Sequence, residues 1–255
     1  MRLLLLSNST SPGRSYLTHA VPWLGEFLDG AQRVAFVPYA GVTVSWDDYA
    51  AKVRDALAPL GSELVSVHET ASPLEALEAA DTVLVGGGNT FHLLREMYTT
   101  ELVDAIRQRV QDGMPFVGWS AGSNVACPTI RTTNDMPIVE PPSFDALGFV
   151  PFQINPHYTD AHPDGHQGET RAQRLAEFVT ANPDVPVIGL PEGTALRIDG
   201  RQLDLLGGTA LRCDPDTPEG RSTTVDAIRE LANLFLHRRR VLPTQHPVHQ
   251  LDDRT

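Results

Sequence analysis

The sequence has few cysteines and no long apolar segment. Cys127 and Cys213 are its only cysteines, too few for a disulfide framework, and such a low content is typical of the reducing cytosol. No run of about 18 apolar residues occurs, so the sequence predicts no membrane-spanning helix. The apolar run 3–6 is too short for the core of a signal peptide, and no small-residue cleavage site follows it. We therefore expect a cytoplasmic protein with no membrane partner.

Basic residues are also scarce. The chain has 20 lysines and arginines against 32 aspartates and glutamates, which gives a net charge of −12. This balance argues against a nucleic-acid partner, because the phosphate backbone is bound mainly through basic side chains. An anionic substrate would need basic residues placed locally against the overall charge. With 255 residues, of which 41% are hydrophobic, the chain is long enough to bury the core of one large α/β domain.

Strand and helix signals alternate through the first half of the chain. Continuous apolar runs of strand length are typical of buried parallel strands, and amphipathic segments between them predict covering helices. This βαβ rhythm favours a parallel sheet covered by helices. Strands are predicted at 3–6, 34–37, 63–67, 82–85 and 116–119, and helices at 47–58, after the Ser72-Pro73 pair, and around 102–110.

The second half of the chain is less regular. Prolines concentrate in 128–156 and predict an irregular excursion with short strands. Asp-Gly and Gly-Gly turns farther on predict a small antiparallel addition. The elements expected are a helix at 169–181, strands at 185–190, 195–198, 202–206 and 210–212, and a last helix at 224–236. No repeat or linker interrupts the chain, so we expect one catalytic domain over 1–236 and an exposed tail over 237–255.

The segment Gly118-Trp119-Ser120-Ala121-Gly122 has the form of a nucleophile elbow. It follows an apolar strand and precedes small residues, as a Gly-x-Ser-x-Gly turn does between a strand and a helix. Small neighbours are needed because the sharp turn leaves little room beside the projecting hydroxyl. The N–H group after the serine lies at a helix N-terminus and points towards an oxyanion formed there. Ser120 is therefore a candidate nucleophile.

A serine nucleophile needs a base and a group that orients the base. Of nine histidines, His157 is favoured, because it follows an apolar segment and lies at a predicted strand end, where active sites of α/β sheets form. Glu192, just after the strand at 185–190, and Asp135, within the irregular excursion, are the two candidate carboxylates. Sequence reasoning leaves both open, and placement at a strand edge favours Glu192.

The run Gly86-Gly87-Gly88-Asn89 also follows a strand and opens a helix. It does not fit the dinucleotide fingerprint, because Phe91 takes the place of the third glycine. A second oxyanion donor is the favoured interpretation, with the N–H groups of Gly88 and Ala121 converging on one oxygen. The spacing of the histidines after position 156 matches no zinc signature, so no metal is expected. Acyl transfer by a serine needs no cofactor, and none is expected.

Taken together, five segments of the chain resemble the peptidase E family of α-aspartyl dipeptidases, which are serine peptidases. The segments are 86–91, 118–122, 133–137, 155–158 and 190–193. The resemblance implies a flavodoxin-like α/β fold with helices on both faces of the sheet, similar to class I glutamine amidotransferases. It also implies hydrolysis of dipeptides with an N-terminal aspartate through an acyl-enzyme.

The resemblance also assigns roles to residues at matching positions. Ser120 is the nucleophile, His157 the general base, and Glu192 or Asp135 the third member of the triad, with Asp135 alternatively helping to hold the substrate. Arg171 matches the arginine that binds the aspartyl carboxylate, and Asn89 lies in a motif expected to bind substrate. The partner expected is a small dipeptide, and the resemblance is compatible with a homodimer.

Two rival functions are compatible with the same residues. The first is a cyanophycinase-like serine hydrolase acting on aspartyl-arginine material, which would need an open cleft. The second is a non-catalytic relative that binds aspartate or peptides. Retention of a serine, a histidine and both carboxylates argues against the second, because a lapsed site has no chemical reason to keep all four.

Overall fold

The computed structural model of the protein describes residues 1–161, 165, 167–223 and 228. Within these residues the strands are β1 (Arg2–Leu6), β2 (Arg33–Val37), β3 (Glu63–Ser66), β4 (Thr82–Val85), β5 (Phe116–Trp119), β6 (Gln153–Tyr158), β7 (Val187–Pro191), β8 (Ala195–Asp199), β9 (Gln202–Leu206), β10 (Ala210–Asp214) and β11 (Thr217–Thr223). The α-helices are α1 (Val21–Phe27), α2 (Trp46–Leu57), α3 (Pro73–Glu78), α4 (Thr90–Thr99), α5 (Leu102–Gln111), α6 (Ala121–Val125) and α7 (Arg171–Ala181).

The larger sheet has seven strands in the order β3-β2-β4-β5-β1-β8-β9. Its first five strands are mutually parallel, and β8 and β9 continue it in antiparallel fashion. The predicted α/β class with a mainly parallel sheet is confirmed. All strands of the parallel part end at one edge, so the residues that follow them are brought together there.

Helices cover both faces of this sheet, as predicted. Successive side chains of a strand point to opposite faces, and β1 shows the result: Leu3 and Leu5 pack with α3, α4, α5 and α6, whereas Leu4 and Leu6 pack with α1 and α2. The four leucines are fully buried. None of the helices in the described part of the chain is long and apolar enough to span a membrane.

Side chains at the helix N-termini explain several of the helix starts. The Ser72 side chain accepts a hydrogen bond from the N–H of Glu75, so the predicted start of α3 is confirmed. In the same way Ser45 caps α2. Thr170 and Gln173 form a reciprocal capping box at the start of α7, which begins at Arg171, two residues later than predicted.

A second sheet of four strands, in the order β11-β10-β7-β6, packs against α7. This arrangement corrects the prediction of one small antiparallel addition. The hairpin β8–β9 extends the main sheet, whereas β10 pairs with β7 and β11 in the second sheet. The turn residues predict hairpins but carry no information about the sheet edge that each hairpin joins.

The excursion after α6 also differs from the prediction. In 128–152 the described structure has no strand, only an isolated bridge between Thr129 and Asp145. Strand β6 begins at Gln153 and includes His157, which the sequence places at a strand end after an apolar segment. A register shift between Asn155 and Tyr158 lets the strand continue past the proline at 156. The predicted helix at 224–236, apart from Ile228, and the tail at 237–255 lie outside the described residues.

Candidate active site

Ser120 lies on a sharp turn between β5 and α6. Its backbone has φ 53° and ψ −111°, a conformation that is strained for any residue other than glycine. The neighbouring glycines have no room for a side chain: a Cβ at Gly118 would lie 2.4 Å from the carbonyl oxygen of Gly122, and one at Gly122 would lie 2.1 Å from that of Val85. Larger residues at these two positions would therefore clash with the backbone. The turn places the Ser120 hydroxyl at the carboxyl edge of the sheet.

His157 reaches Ser120 from the second sheet. Its Nε2 lies 2.9 Å from Ser120 Oγ, and its Nδ1 lies 2.8 Å from Glu192 Oε1. A carboxylate only accepts hydrogen bonds, so Nδ1 carries the proton and Nε2 is free to accept from the serine hydroxyl. His157 also has a positive φ of 53°, and its N–H donates to Ser7 Oγ at 2.9 Å. The bulge in β6 thus aims the imidazole at the serine.

Glu192 directly follows β7 and lies beside the loop after β1. The next residue, Gly193, has φ 80° and donates its N–H to Asn8 Oδ1 at 2.8 Å. The side chains of His157 and Glu192 are 39% and 46% exposed, so water screens their interaction. The main effect of the carboxylate is therefore to orient the imidazole ring, and its electrostatic effect on the ring is small.

Asp135 lies elsewhere in the same region and contacts a different helix. Its Oδ2 accepts from the N–H of Thr90 at 2.8 Å, from Thr90 Oγ1 at 2.6 Å and from Thr133 Oγ1 at 2.9 Å. Thr90 begins α4, so the carboxylate satisfies a free N–H at a positive helix end. Of the two candidate carboxylates, the structure brings Glu192 to the His157 ring, and the hydrogen bonds of Asp135 go to Thr90 and Thr133.

The two N–H groups predicted as oxyanion donors belong to loops that meet at Ser120. Gly88 has φ 139°, and a Cβ there would lie 2.1 Å from the carbonyl oxygen of Ala40, so only glycine fits. At the preceding glycine, Gly87, a Cβ would lie 3.0 Å from that of Ser120. In the described structure neither the Gly88 N–H nor that of Ala121 donates to a protein acceptor. Both donors are therefore free for a substrate oxygen.

A cavity of about 780 Å³ opens over these residues. Ser120 and His157 lie on its wall together with Gly88, Asn89 and Asp135. This volume is in the range of small-molecule sites, and the wall combines apolar surface with a few polar groups, as such sites do.

Two basic side chains are relevant to an anionic substrate, and one of them lines this cavity. Lys52 lies on its wall, with Nζ 4.4 Å from the centre of the Tyr16 ring. Arg171, the predicted carboxylate ligand, is not among the described lining residues and begins α7. Its guanidinium is half-buried, and burial, followed by the charge of Arg174, lowers its pKa. No ion partner of Arg171 is present among the described residues.

Sequence reasoning missed the residues after β1 and one face of α2. Ser7 accepts a hydrogen bond from the N–H of His157, and Asn8 accepts one from that of Gly193, next to Glu192. Their position at the end of a parallel strand is a signal that the sequence contains. Tyr49 and Lys52 are three positions apart on α2 and so share a helix face that reaches the cavity. Both residues lie more than 30 positions from the motifs in the sequence, so the sequence did not indicate that they reach the cavity.

Comparison with known proteins identifies the family. The model of peptidase family S51 matches residues 3–206. The proteins named peptidase E from Salmonella arizonae and Salmonella typhimurium strain LT2 are each 52% identical over 208 residues, covering 82% of this chain and 90% of theirs.

Solved structures agree with this match. A candidate peptidase E from Listeria monocytogenes EGD-e has a TM-score of 0.61 at 25% identity, covering 81% of this chain and 98% of its own. A peptidase from an acI-B1 actinobacterium has the same fold, with a TM-score of 0.63 at 19% identity and coverage of 88% and 94%. The resemblance predicted from the five segments is confirmed, and the chain belongs to peptidase family S51.

Proposed function

We propose that this peptidase is a serine dipeptidase that hydrolyses dipeptides with an N-terminal aspartate (Asp-X) through an acyl-enzyme. The observation that carries the proposal is the hydrogen-bonded series from Ser120 Oγ through the His157 ring to Glu192 Oε1, with distances of 2.9 and 2.8 Å, on the wall of a cavity. A nucleophile, a base and a group that orients the base are the three parts that acyl transfer requires.

The mechanism follows from this geometry. Ser120 Oγ attacks the peptide carbonyl carbon while His157 Nε2 takes the hydroxyl proton, and Glu192 keeps the Nδ1 proton in place. The negative oxygen of the tetrahedral intermediate accepts from the N–H groups of Gly88 and Ala121. His157 then protonates the leaving amine, and the aspartyl group stays on the serine as an ester. A water molecule, deprotonated by the same imidazole, releases aspartate and restores the serine.

Arg171 is our candidate for the residue that binds the aspartyl side chain. A guanidinium can grip a carboxylate with two hydrogen bonds, and a half-buried cation without an ion partner among the described residues is suited to an anionic ligand. In a chain with a net charge of −12, such a local cation is needed to hold an acidic substrate. Asn89 and Asp135, on the cavity wall, are candidates for contacts with the rest of the dipeptide.

Lys52 provides the comparison, because it is a basic side chain on the wall of the cavity. We expect Arg171→Met to lower kcat/KM for Asp-Leu, with a loss of transition-state stabilisation of roughly 2–4 kcal/mol. For Asn-Leu, which has no side-chain carboxylate, we expect kcat/KM to change little. Loss of the preference for Asp-Leu in Lys52→Met but not in Arg171→Met would move the aspartyl pocket to Lys52.

A panel of substrates tests the reaction itself. We expect purified protein to cleave Asp-Leu and to leave Glu-Leu, β-Asp-Leu and aspartyl-arginine polymer intact, with Ser120→Ala as the inactive control. Turnover of the polymer would favour the cyanophycinase-like alternative, and tight aspartate binding without turnover would favour a binding protein. The peptidase E relatives make both alternatives the less favoured ones. The predicted homodimer and cytoplasmic location stay predictions, which size-exclusion chromatography with light scattering and cell fractionation would test.

A further inference from the structure

The hydroxyl of Tyr49 uses its full hydrogen-bonding capacity beneath the glycine loop that follows β4. It donates to the carbonyl oxygen of Gly87 at 3.0 Å and accepts from Trp119 Nε1 at 3.1 Å and from the Tyr16 hydroxyl at 3.3 Å. A phenol has one proton to give and two lone pairs, so all three positions are occupied. The side chain is 6% exposed, and its ring meets that of Phe36 edge-on at 5.2 Å. Tyr49 is therefore held in one orientation.

The glycine loop passes between this hydroxyl and the proposed nucleophile. A Cβ at Gly86 would lie 2.5 Å from the Tyr49 oxygen, and a Cβ at Gly87 would lie 3.0 Å from that of Ser120. The loop thus has no side chains to fix its position by packing. Backbone hydrogen bonds hold its two ends, from the N–H of Gly86 to Val37 and from that of Asn89 to Ala40, and Tyr49 supplies a side-chain contact between them.

The bond from Tyr49 also sets the direction of the next N–H group. The carbonyl of Gly87 and the N–H of Gly88 belong to one planar peptide unit, and no peptide bond in the described structure is cis. In a planar trans unit the two groups point in opposite directions. Because Tyr49 anchors the carbonyl on one side, the Gly88 N–H projects to the other side of the loop, where it has no protein acceptor among the described residues.

We propose that Tyr49 is a positioning residue for catalysis, which holds the Gly87–Gly88 peptide so that the Gly88 N–H faces the oxyanion formed at Ser120. An oxyanion donor is effective because its direction is fixed before the reaction begins. Burial raises the pKa of the Tyr49 phenol, so the hydroxyl keeps its proton and donates to Gly87 throughout the working pH range. The inference rests on the proposed acyl-transfer function.

Tyr49→Phe tests it by deleting one oxygen atom. We expect kcat for Asp-Leu to fall by roughly tenfold to a hundredfold, less than the 10²–10³ typical when a donor is removed outright, because the Gly88 N–H remains but is no longer aligned. KM should stay within about twofold, since the interaction is made with the transition state and not with the bound substrate. Tyr98→Phe is the matched control, because Tyr98 also donates to a backbone carbonyl, that of Asp145 at 3.0 Å, and is not on the cavity wall.

An aldehyde inhibitor gives a readout that a merely structural role would not move. The inhibitor is the analogue of aspartate in which an aldehyde replaces the α-carboxyl group. Ser120 Oγ adds to the aldehyde carbon, the serine proton passes to His157, and the aldehyde oxygen becomes the oxyanion. We expect Tyr49→Phe to weaken inhibition by the aldehyde by the same factor as it lowers kcat, while inhibition by the product aspartate is unchanged. Tyr98→Phe should match the wild type in both.

Several results would overturn the inference: a wild-type kcat in Tyr49→Phe, an equal loss in Tyr98→Phe, or a lower kcat with undiminished aldehyde affinity. Thermal unfolding monitors folding in each variant. If Tyr49→Phe does not fold, the pair Tyr49→4-methylphenylalanine, which fills the space without a donor, and Tyr49→4-aminophenylalanine, which restores an N–H donor, makes the same comparison. An active Ser120→Ala would instead refute the proposed function itself, so the two failures are distinguishable.

Discussion

Replacement of Glu192 by glutamine tests the geometry of the site most directly. The change keeps the size of the side chain and removes the charge that fixes the Nδ1 proton of His157. An amide in place of a buried triad carboxylate costs about 10⁴ in kcat, because the ring takes the wrong tautomer. Here the carboxylate and the ring are 46% and 39% exposed, so water can take over part of the orienting role. We therefore expect a loss of roughly 10²–10³ in kcat, or about 3–4 kcal/mol.

Asp135→Asn separates the two candidate carboxylates. Its Oδ2 accepts three hydrogen bonds from Thr90 and Thr133 at the start of α4. The variant should lower the free energy of unfolding by about 1–2 kcal/mol, the cost typical of a weakened helix cap. Because Asp135 lies on the cavity wall, we also expect a higher KM, and a smaller loss of kcat than in Glu192→Gln.

The assay is the release of leucine from Asp-Leu, with kcat and KM measured separately and stability followed by thermal unfolding. Glu63→Gln is the control. Like Glu192, Glu63 is exposed and has an ionic partner, in this case Arg33 at 3.4 Å, but it begins β3, at the edge of the sheet opposite the site. If Asp135→Asn loses turnover while Glu192→Gln keeps it, the third member of the triad is Asp135, and our reading of the contacts is wrong.

Three further predictions concern stability and reactivity. Gly122→Ala should destabilise the fold by about 1–3 kcal/mol or more, because its Cβ would lie 2.1 Å from the carbonyl oxygen of Val85; an unchanged Tm would contradict this. Burial raises the pKa of Cys127 to about 12 and that of Cys213 to about 11, so a thiol reagent at pH 8 should modify both only after denaturation, and rapid labelling of the folded protein would argue against it. Burial lowers the pKa of His19, so the imidazole binds a proton more readily in the unfolded chain than in the folded one. The free energy of unfolding should therefore fall as the pH drops below about 6.5, and its dependence on pH should be weaker in His19→Gln. An identical pH dependence in the variant would exclude this contribution.

The sequence predicts best those elements that one simple pattern determines. Strands Thr82–Val85 and Phe116–Trp119 have the predicted bounds, because all four residues of each are buried and most of them are apolar. Strand Thr217–Thr223 was not predicted, since its sequence, TPEGRST, contains no apolar alternation. It forms by pairing with β10, and such a partner is not encoded locally.

In the candidate site, too, the sequence predicts the residues that follow a simple apolar strand better than the others. Ser120 and Glu192 each follow an apolar strand, so the sequence could place both at one sheet edge. The structure also brings His157 to Ser120. The sequence indicates this position only incompletely, because His157 lies inside a bulged strand that contains a proline. The contact between Tyr49 and Gly87 joins residues 38 positions apart and depends on how α2 lies on the sheet, which no local pattern reports.

The loop after β1 links the two sheets that supply the site. Ser7 Oγ donates to the carbonyl of Leu190 at 2.8 Å and accepts from the N–H of His157 at 2.9 Å, so it ties β6 and β7 to the end of β1. The residue before it, Leu6, accepts the N–H of Ser120 at 3.1 Å through its carbonyl. Ser120 and His157, the proposed nucleophile and base, are thus both held by adjacent residues at the end of one strand, whose side chains are fully buried. The separation of the Ser120 and His157 backbones therefore depends on these buried contacts and not on the half-exposed pair with Glu192. For this reason we expect Glu192→Gln to slow the reaction without displacing the backbone of His157.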